Sequence, residues 1–174
     1  MLDSLKFNGS SVIVTGGGQG IGRATCEVIA ELGAHVIIVS KTAKNVKQTE
    51  KILRTKGASC EGHVVDVSVK SEVDTLAKNL SKKQKYIKAL VNNAGTNFVQ
   101  KLEDLEEDDW HRIIGIDLSS VYYMCKAFLP LLRRAPKGSS IVNVASTFGI
   151  IAHPEMPVYC AAKGGVLSLT RQLA

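Results

Sequence analysis

The sequence has few of the residues and segments that mark several large classes of protein. Its 174 residues include four cysteines and four histidines, with no C-x-x-C pair and no cluster at metal-ligand spacing. This pattern excludes a disulfide framework and predicts a reduced compartment with no bound metal. No run approaches the ~20 continuous apolar residues that a membrane helix needs, and the start, MLDSLKFNGSS, has no apolar signal core. We therefore expect a cytoplasmic protein that does not enter a membrane.

Acidic residues are outnumbered, because 22 lysines and arginines against 16 aspartates and glutamates leave a net charge of +6. Much of the excess lies in two runs, Lys41 to Lys56 and Lys82 to Lys85. Both runs have the spacing of solvated helix faces and contain no interleaved aromatic residues, which favours ordinary surface helices over a nucleic-acid site. A nucleic-acid function would rest on charge alone, and we expect no nucleic-acid partner.

Apolar, β-branched runs alternate with helical patterns along the whole chain. The predicted strands are SVIVTG, HVIIVS, GHVVDV, IKALVNNAG and SSIVNVAS, and a long helical region is expected from about Asp104 to Arg134. Strands that are apolar on both faces and alternate with helices predict an α/β fold with a parallel sheet covered on both sides. No repeat, linker or low-complexity tract interrupts residues 1–174, so a single domain is predicted.

The first predicted helix, GIGRATCEVIAELGA, follows the first strand and ends at Gly33. Its helical spacing places five apolar residues on one face, and we expect that face to be buried: Ile21, Ala24, Val28, Ile29 and Leu32.

Five glycines fall within seven residues where the first strand leads into this helix, in VIVTGGGQGIG. The first turn of a helix offers unpaired N–H groups and the positive end of a dipole. Glycines at that point permit a tight turn and let a pyrophosphate approach the backbone closely. The alternative is an ordinary glycine-rich turn, because the common dinucleotide spacing G-x-G-x-x-G does not occur here.

Four motifs in order resemble the short-chain dehydrogenase/reductase family, in its compact branch. They are T-G-x-x-x-G-x-G from Thr15 to Gly22, N-N-A-G from Asn92 to Gly95, Ser146, and Y-x-x-x-K from Tyr159 to Lys163. Each is weak alone, but the four in register, over nearly the whole chain, form a strong signal. The resemblance implies a Rossmann-type, doubly wound parallel sheet. It also implies a nicotinamide-dependent oxidoreductase that moves a hydride to or from a small alcohol or carbonyl compound.

The chemistry needs the residue types that the last motif supplies. A free tyrosine has a pKa of about 10, and ready proton exchange near neutrality requires a fall of roughly 3 units. A cation ~4 Å away supplies about that much at an effective dielectric near 20, and Lys163 lies one helical turn from Tyr159, on the same face. By resemblance, Tyr159 is the acid/base, Lys163 also binds the nicotinamide ribose, and Ser146 hydrogen-bonds the substrate oxygen.

One residue departs from the family pattern. The family often has an asparagine in its fifth helix, where it holds a proton-relay water, and the matching segment here, GIDLSSVYY, has Asp117. Aspartate is able to hold water, but it adds a negative charge that would alter the pH profile. Asp117 is therefore a fourth candidate catalytic residue.

The end of the second strand bears on the choice of cofactor. An acidic residue there would pair with the ribose hydroxyls of NAD, but this sequence has Ser40 and Lys41. A hydroxyl beside a lysine suits a 2′-phosphate, so NADP(H) is favoured, with NAD(H) as the alternative. With Tyr159 and Lys163, the resemblance gives these cofactor-binding residues: Gly16, Gly18, Gln19, Gly20, Ile21, Gly22, Ser40, Lys41, Asp66, Val67, Asn93, Ala94 and Gly95.

The chain stops inside the helix that carries Tyr159 and Lys163. Members of the family ordinarily continue through two further strands and a substrate loop, so we expect the sheet to be incomplete at its C-terminal edge and SSIVNVAS to be an open edge strand. The complete protein is expected to be a homo-oligomer, dimer or tetramer. Carbonyl-reductase, xylulose-reductase and 3-oxoacyl-reductase activities all remain open, and so does an inactive, truncated cofactor-binding or interaction protein.

Overall fold

A parallel β-sheet organises residues 6–174, the part of the chain that the computed structural model describes. The strands, numbered in chain order, are β1 Ser11–Thr15, β2 His35–Ser40, β3 Cys60–Val64, β4 Ala89–Asn92 and β5 Ser140–Asn143. They are arranged in the order β3-β2-β1-β4-β5, and each neighbouring pair is parallel. The expectation for the segment MLDSLKFNGSS falls partly on residues 1–5, which lie outside the described residues.

Six α-helices accompany these strands within the described residues, five of them between strands and the sixth after β5. They are α1 Gly20–Glu31, α2 Ala43–Thr55, α3 Lys70–Lys83, α4 Glu107–Ile114, α5 Ser120–Arg133 and α6 Pro157–Leu173. The predicted α/β fold with a parallel sheet is therefore confirmed. None of the helices within residues 6–174 is long and apolar enough to cross a membrane.

The order in which the chain adds strands to the sheet reverses at β1. The chain moves outward from β1 through β2 to β3, then returns to the other side of β1 for β4 and β5. Where the strand order reverses in an α/β sheet, the loops at the carboxyl ends of the strands diverge and leave a crevice. The fold thus places a crevice beyond Thr15, the last residue of β1.

The two faces of the sheet bury separate apolar clusters. Ile13 of β1 packs into a cluster with residues of α3 and α5, of which Phe128 is fully buried. Val12 and Val14 point the other way, into a cluster with Cys26 of α1 and Leu53 of α2. Because successive side chains of a strand alternate between faces, this division requires consecutive apolar residues, as β1 has from Val12 to Val14.

The lysine-rich α2 has the mixed character that its sequence predicts. Its buried residues are Val46, Thr49 and Leu53, whereas Lys44, Lys47 and Lys51 are exposed. The lysines therefore form the outer face of an amphipathic helix.

The predicted buried face of α1 is wrong in part. Ile21 is 70% exposed, Val28 is 57% exposed and Ala24 is exposed too, whereas Gly22 and Cys26 are buried. Ile29 and Leu32 are partly buried. The reason is the close approach of α1 to the turn that precedes it. A Cβ built on Gly22 would lie 2.7 Å from the carbonyl carbon of Gly16, so small residues form the contact and the larger ones are turned outward.

Cys26 of α1 packs against Gly17, on the side of the turn that faces the sheet. A Cβ built on Gly17 would lie 2.9 Å from the Cys26 sulfur, and the thiol donates to the Gly17 carbonyl at 3.9 Å. Burial is the main cause that raises the pKa of the Cys26 thiol to about 12. This thiol is an apolar packing element.

Several predicted element boundaries differ from the structure, and β4 and β5 are each shorter than the predicted segments IKALVNNAG and SSIVNVAS. The third strand begins two residues earlier than predicted and ends at Val64, opposite Ser40, because β2 ends there and provides no further partner. The long helical region from about Asp104 to Arg134 is divided by a π-helical turn at Gly115–Ser119. Such turns are rare in proteins, and many of those that occur lie at functional sites.

The predicted edge position of the last strand is observed. β5 is the outermost strand of the sheet next to β4, and Val142 is half exposed.

Replacing Gly22 with alanine tests the contact between α1 and the glycine turn. The added methyl group would meet the Gly16 carbonyl and the Asn93 amide, and overpacking of this kind typically costs about 1–3 kcal/mol. We expect Gly22→Ala to lower the free energy of unfolding, measured by urea denaturation, by at least about 1 kcal/mol.

Gly115→Ala is the matched control for this substitution. Gly115 has helical backbone angles, φ −58° and ψ −49°, and its added methyl group would lie 3.8 Å from the Ser68 Cβ, an ordinary contact. Because alanine is a better helix former than glycine, this variant should keep or gain stability. Equal losses in the two variants would contradict the close contact at Gly22.

Candidate active site

The glycine turn opens the crevice beyond β1. Gly16 and Gly20 have positive φ angles, +66° and +52°, a conformation that costs glycine little and other residues much. Gln19, which precedes α1, makes no side-chain cap on the helix. The first-turn N–H groups and the positive end of the helix dipole are therefore available to an anion, as the sequence predicts for this turn.

Hydrogen bonds between Thr15 and Asn93 fix the ends of the two central strands. The Thr15 Oγ1 accepts from the backbone N–H groups of Asn93 and Ala94, each at 3.0 Å. The Asn93 Nδ2 donates to the Thr15 carbonyl at 3.0 Å. The Asn93 amide is thus used within the protein, and this residue forms part of the wall.

A cavity of about 450 Å³ extends from this turn across the carboxyl ends of the first four strands. Most of the predicted cofactor-binding residues line it, and these are Gly16, Gln19, Gly20, Ile21, Gly22, Ser40, Lys41, Asp66, Val67, Asn93, Ala94 and Gly95. The other lining residues, which no sequence motif singled out, are Val39, Thr42, Asn45, Val65, Thr96 and Ile116. All of these except Asn45 are sequence neighbours of predicted site residues, so only Asn45 needed the fold to be found.

Gly18 does not line this cavity, although the sequence analysis included it among the cofactor-binding residues. Its carbonyl accepts from the Arg23 Nη2 at 2.6 Å and from the Thr49 Oγ1 at 3.2 Å. A Cβ built on Gly18 would lie 2.8 Å from the Asn45 Cβ. Gly18 therefore packs the turn against α2.

The wall near the end of β2 is polar and carries positive charge. Ser40 is half buried and Lys41 is exposed, and Asn45 of α2 donates through its Nδ2 to the Gln19 Oε1 at 2.9 Å. This hydrogen bond joins α2 to the glycine turn.

The Asp66 carboxylate lies beside the same cavity, after β3. Its Oδ1 accepts from the backbone N–H and the hydroxyl of Ser68, at 3.0 and 2.6 Å. The backbone N–H of Asp66 donates to the Glu72 Oε2 at 2.8 Å. These bonds fix the carboxylate and place the neighbouring Val67, which is buried, against the adjacent wall.

Lys163 is a buried cation behind the Gly95 part of the wall. Its side chain is 6% exposed, and its Nζ donates to the Val144 carbonyl at 3.1 Å. The Nζ also lies 5.6 Å from the centroid of the Tyr159 ring, one helical turn earlier. The two residues of the Y-x-x-x-K motif thus share a face of α6, as their spacing predicts.

Asp117 completes this arrangement from the π-helical turn. Its side chain is fully buried, its Oδ1 lies 3.2 Å from the Lys163 Nζ, and its carboxylate accepts from the Thr96 backbone N–H at 3.2 and 3.3 Å. Burial raises the pKa of Asp117, and the neighbouring Lys163 ammonium opposes this effect. A Cβ built on Gly95 would lie 2.8 Å from the Asp117 Oδ1 and 3.5 Å from the Lys163 Nζ, so the pair adjoins the cavity.

Ser146 follows β5 and begins a short 3₁₀ turn, Thr147–Gly149. The Ser146 Oγ accepts from the Phe148 backbone N–H at 3.2 Å. Gly149 packs on α6, since a Cβ there would lie 2.8 Å from the backbone of Lys163. This contact fixes the Ser146 segment against the helix that carries Tyr159.

No group of three or more histidine, cysteine, aspartate or glutamate side chains within residues 6–174 is arranged to hold a metal ion. The polar groups at the cavity are instead the backbone N–H groups of the glycine turn and hydroxyls, and the Asp117–Lys163 pair lies behind its Gly95 wall. Such a set is suited to an anionic nucleotide and to proton transfer.

Comparison with known proteins extends over nearly the whole chain. A probable galactose dehydrogenase of Rhizobium meliloti is 35% identical over 164 residues, which are 94% of this chain and 64% of that protein. A 3-oxoacyl-[acyl-carrier-protein] reductase of Haemophilus influenzae is 34% identical over 97% of this chain and 68% of its own length. The present chain thus spans about two thirds of the length of these relatives.

Among solved structures, a short-chain dehydrogenase/reductase from Burkholderia phymatum in complex with NAD superposes with a TM-score of 0.91. It is 32% identical, and the match covers 97% of this chain and 60% of that one. The sequence profile of the short chain dehydrogenase family matches residues 10–174. Fold, motif order and sequence therefore agree, and the chain belongs to the short-chain dehydrogenase family.

Proposed function

We propose that the protein is an NADP(H)-dependent oxidoreductase that transfers a hydride between the nicotinamide cofactor and a small alcohol or carbonyl substrate. The observation that carries the proposal is the buried Lys163 ammonium, 5.6 Å from the Tyr159 ring and adjacent to the Gly95 wall of the cavity. A buried lysine is costly unless its charge is paired. Asp117 pairs this one at 3.2 Å, and the pair holds the ammonium beside a phenol that is able to exchange a proton.

The cavity fits a dinucleotide. The glycine turn lets phosphate approach the backbone, because a Cβ at Gly22 would already collide with the chain and Gly20 requires a positive φ. The N–H groups at the start of α1 favour the pyrophosphate charge, and the cavity runs from there towards both Ser40 and Gly95. Bound nicotinamide nucleotide supplies the hydride donor or acceptor.

The side chains of the protein supply the proton and orient the substrate. In the direction of carbonyl reduction, the Tyr159 hydroxyl donates its proton to the substrate oxygen, and the Lys163 charge stabilises the tyrosinate that remains. Ser146 has one hydroxyl proton and two lone pairs. Because its Oγ accepts from the Phe148 N–H, the proton stays available for a hydrogen bond to the same substrate oxygen.

The preference for NADP(H) rests on the end of β2. Ser40 and Lys41 line the cavity there, a position where a carboxylate would favour the ribose hydroxyls of NAD. The related structure from Burkholderia phymatum is a complex with NAD, so NAD(H) is the alternative that the experiment must compare. The relatives named above act on chemically different compounds, and the proposal extends only to a small alcohol or carbonyl.

Tyr159→Phe tests the proton donor. The ring and its packing remain while the hydroxyl is lost, and general acid–base catalysis typically contributes about 10²–10⁴-fold to a rate. We expect turnover of carbonyl substrates to fall at least about 100-fold, with NADPH affinity within about twofold of the unchanged protein, a shift of roughly 0.4 kcal/mol. Turnover is followed by NADPH absorbance and affinity by fluorescence titration.

Tyr122→Phe is the matched control, because Tyr122 is exposed on α5 and its hydroxyl accepts only from the neighbouring Lys126. It should leave turnover unchanged. A Tyr159→Phe variant that keeps more than about a tenth of the activity would exclude Tyr159 as the proton donor, because tenfold is only 1.4 kcal/mol.

Ser40→Asp tests the choice of cofactor. A carboxylate at this position would repel a 2′-phosphate and offer an acceptor to the ribose hydroxyls of NAD. We expect the ratio of NADP(H) to NAD(H) affinities to fall by about tenfold, equal to about 1.4 kcal/mol. Ser139→Asp adds the same charge in an exposed loop and should leave the ratio unchanged. Equal affinities for the two cofactors in the unchanged protein would already contradict the preference.

A further inference from the structure

We propose that Asp117 is a positioning residue that holds the Lys163 ammonium in a buried, charge-neutral pair and thereby sets the pH range in which the Tyr159 site works. This inference rests on the proposed function for its effect on turnover. The ion pair itself is a property of the chain without any bound molecule. Asparagine, which the family often has at this position, would hold the same backbone contact without the charge.

The geometry restricts both members of the pair. The Asp117 Oδ1 lies 3.2 Å from the Lys163 Nζ, and the two side chains are 0% and 6% exposed. The carboxylate is fixed from the other side by the Thr96 N–H, and the ammonium by the Val144 carbonyl. Neither charge is able to turn to solvent, so each is compensated mainly by the other.

No second charge competes for this pair among the described residues that pack around it. The π-helical turn contacts α4, α5 and α6. On α4, the exposed Arg112 and His111 pair with Asp109 and Glu107. On α5, the exposed Lys126 contacts Tyr122. The titratable groups that face Asp117 are therefore Lys163 directly and, beyond it, Tyr159, both of α6.

The charge of Asp117 opposes the effect of Lys163 on the phenol. A lone ammonium 5.6 Å from the ring would stabilise a tyrosinate strongly, whereas an ammonium paired with a carboxylate stabilises it less, because the more distant negative charge opposes part of the effect. The paired site therefore keeps Tyr159 protonated to a higher pH than the same site with asparagine. Carbonyl reduction needs the protonated phenol, so it continues to a higher pH in the paired site. Alcohol oxidation needs the tyrosinate, so it begins only at a higher pH.

The first measurement needs neither cofactor nor substrate. Tyrosinate absorbance is titrated in the unchanged protein and in Asp117→Asn, each with the corresponding Tyr159→Phe background subtracted to isolate Tyr159. We expect the midpoint in Asp117→Asn to be lower by about one pH unit, the size of one charge acting across several ångströms of partly polar protein. Equal midpoints would overturn the inference. If Asp117→Asn does not fold, Asp117→Ser, which keeps an acceptor for the Thr96 N–H, replaces it.

The second measurement follows the Asp117 carboxyl itself through stability. Burial raises its pKa in the folded protein, so the folded state holds the proton more tightly than the unfolded state does. The resulting stabilisation is fully present below the ordinary carboxyl pKa and is lost as the pH rises through the raised value. The free energy of unfolding of the unchanged protein, relative to Asp117→Asn, should therefore fall across that interval and then level. A difference that is independent of pH would contradict a buried, titrating carboxyl.

The third measurement compares turnover at different pH values. With Asp117→Asn, the acidic limb of kcat for alcohol oxidation should move down by about the same one pH unit, while KM for the alcohol changes little. Asp74→Asn is the matched control, because it removes a lysine-paired carboxylate that is exposed on α3, and it should leave the profile unchanged. If Asp117→Asn oxidises the alcohol but the acidic limb of its kcat profile does not move, the inference is overturned.

These outcomes separate the two proposals. A shifted Tyr159 titration in a protein that turns over no alcohol or carbonyl would support the ion-pair role and contradict the proposed function. Turnover with NADPH together with an unshifted titration would support the function and contradict the role of Asp117.

Discussion

The arrangement of the whole cavity depends on one short-range constraint, the contact between the ends of β1 and β4 and the start of α1. The Thr15 hydroxyl accepts two backbone N–H groups of the β4 loop, and Gly22 packs on the carbonyl of Gly16. At the point where α1 meets the turn after β1, only glycine fits at position 22, because a side chain there would collide with Gly16 and Asn93. Because the contact fixes the direction in which each segment leaves the sheet, it also fixes the width of the crevice between them.

A second junction, at the other end of the cavity, is held by charge. Lys163 of α6 joins the Val144 carbonyl beyond β5 to the Asp117 carboxylate of the π-helical turn. The two junctions are connected through the segment Asn93–Thr96, which is bonded to Thr15 at one end and to Asp117 at the other. A displacement of α6 is therefore opposed by contacts of the same loop that is bonded to Thr15.

Much of this structure could be predicted from sequence because it is encoded by local patterns. The apolar runs predict the strands, and the motif spacing identifies the turn, Tyr159 and Lys163. The orientation of α1 could not be predicted, because a periodicity of apolar residues does not reveal that Gly22 and Cys26 make the contact. The π-helical turn and the pairing of Asp117 with Lys163 also escaped prediction. The pairing joins residues that are far apart in the chain, which no local pattern records.

The reactivity of Cys26 reports on whether the first junction is closed or open. Its thiol is fully buried under the glycine turn, and its raised pKa keeps the reactive thiolate scarce at neutral pH. A thiol reagent reaches it only when α1 separates from Gly17, since the sulfur lies in that contact. Cys60 and Cys160 are only partly buried, so they react without such an opening, whereas Cys125 is also buried but lies in the apolar cluster on the other face of the sheet. The rate at which Cys26 is modified is thus a measure of how often the glycine-turn end of the crevice opens, without any added probe.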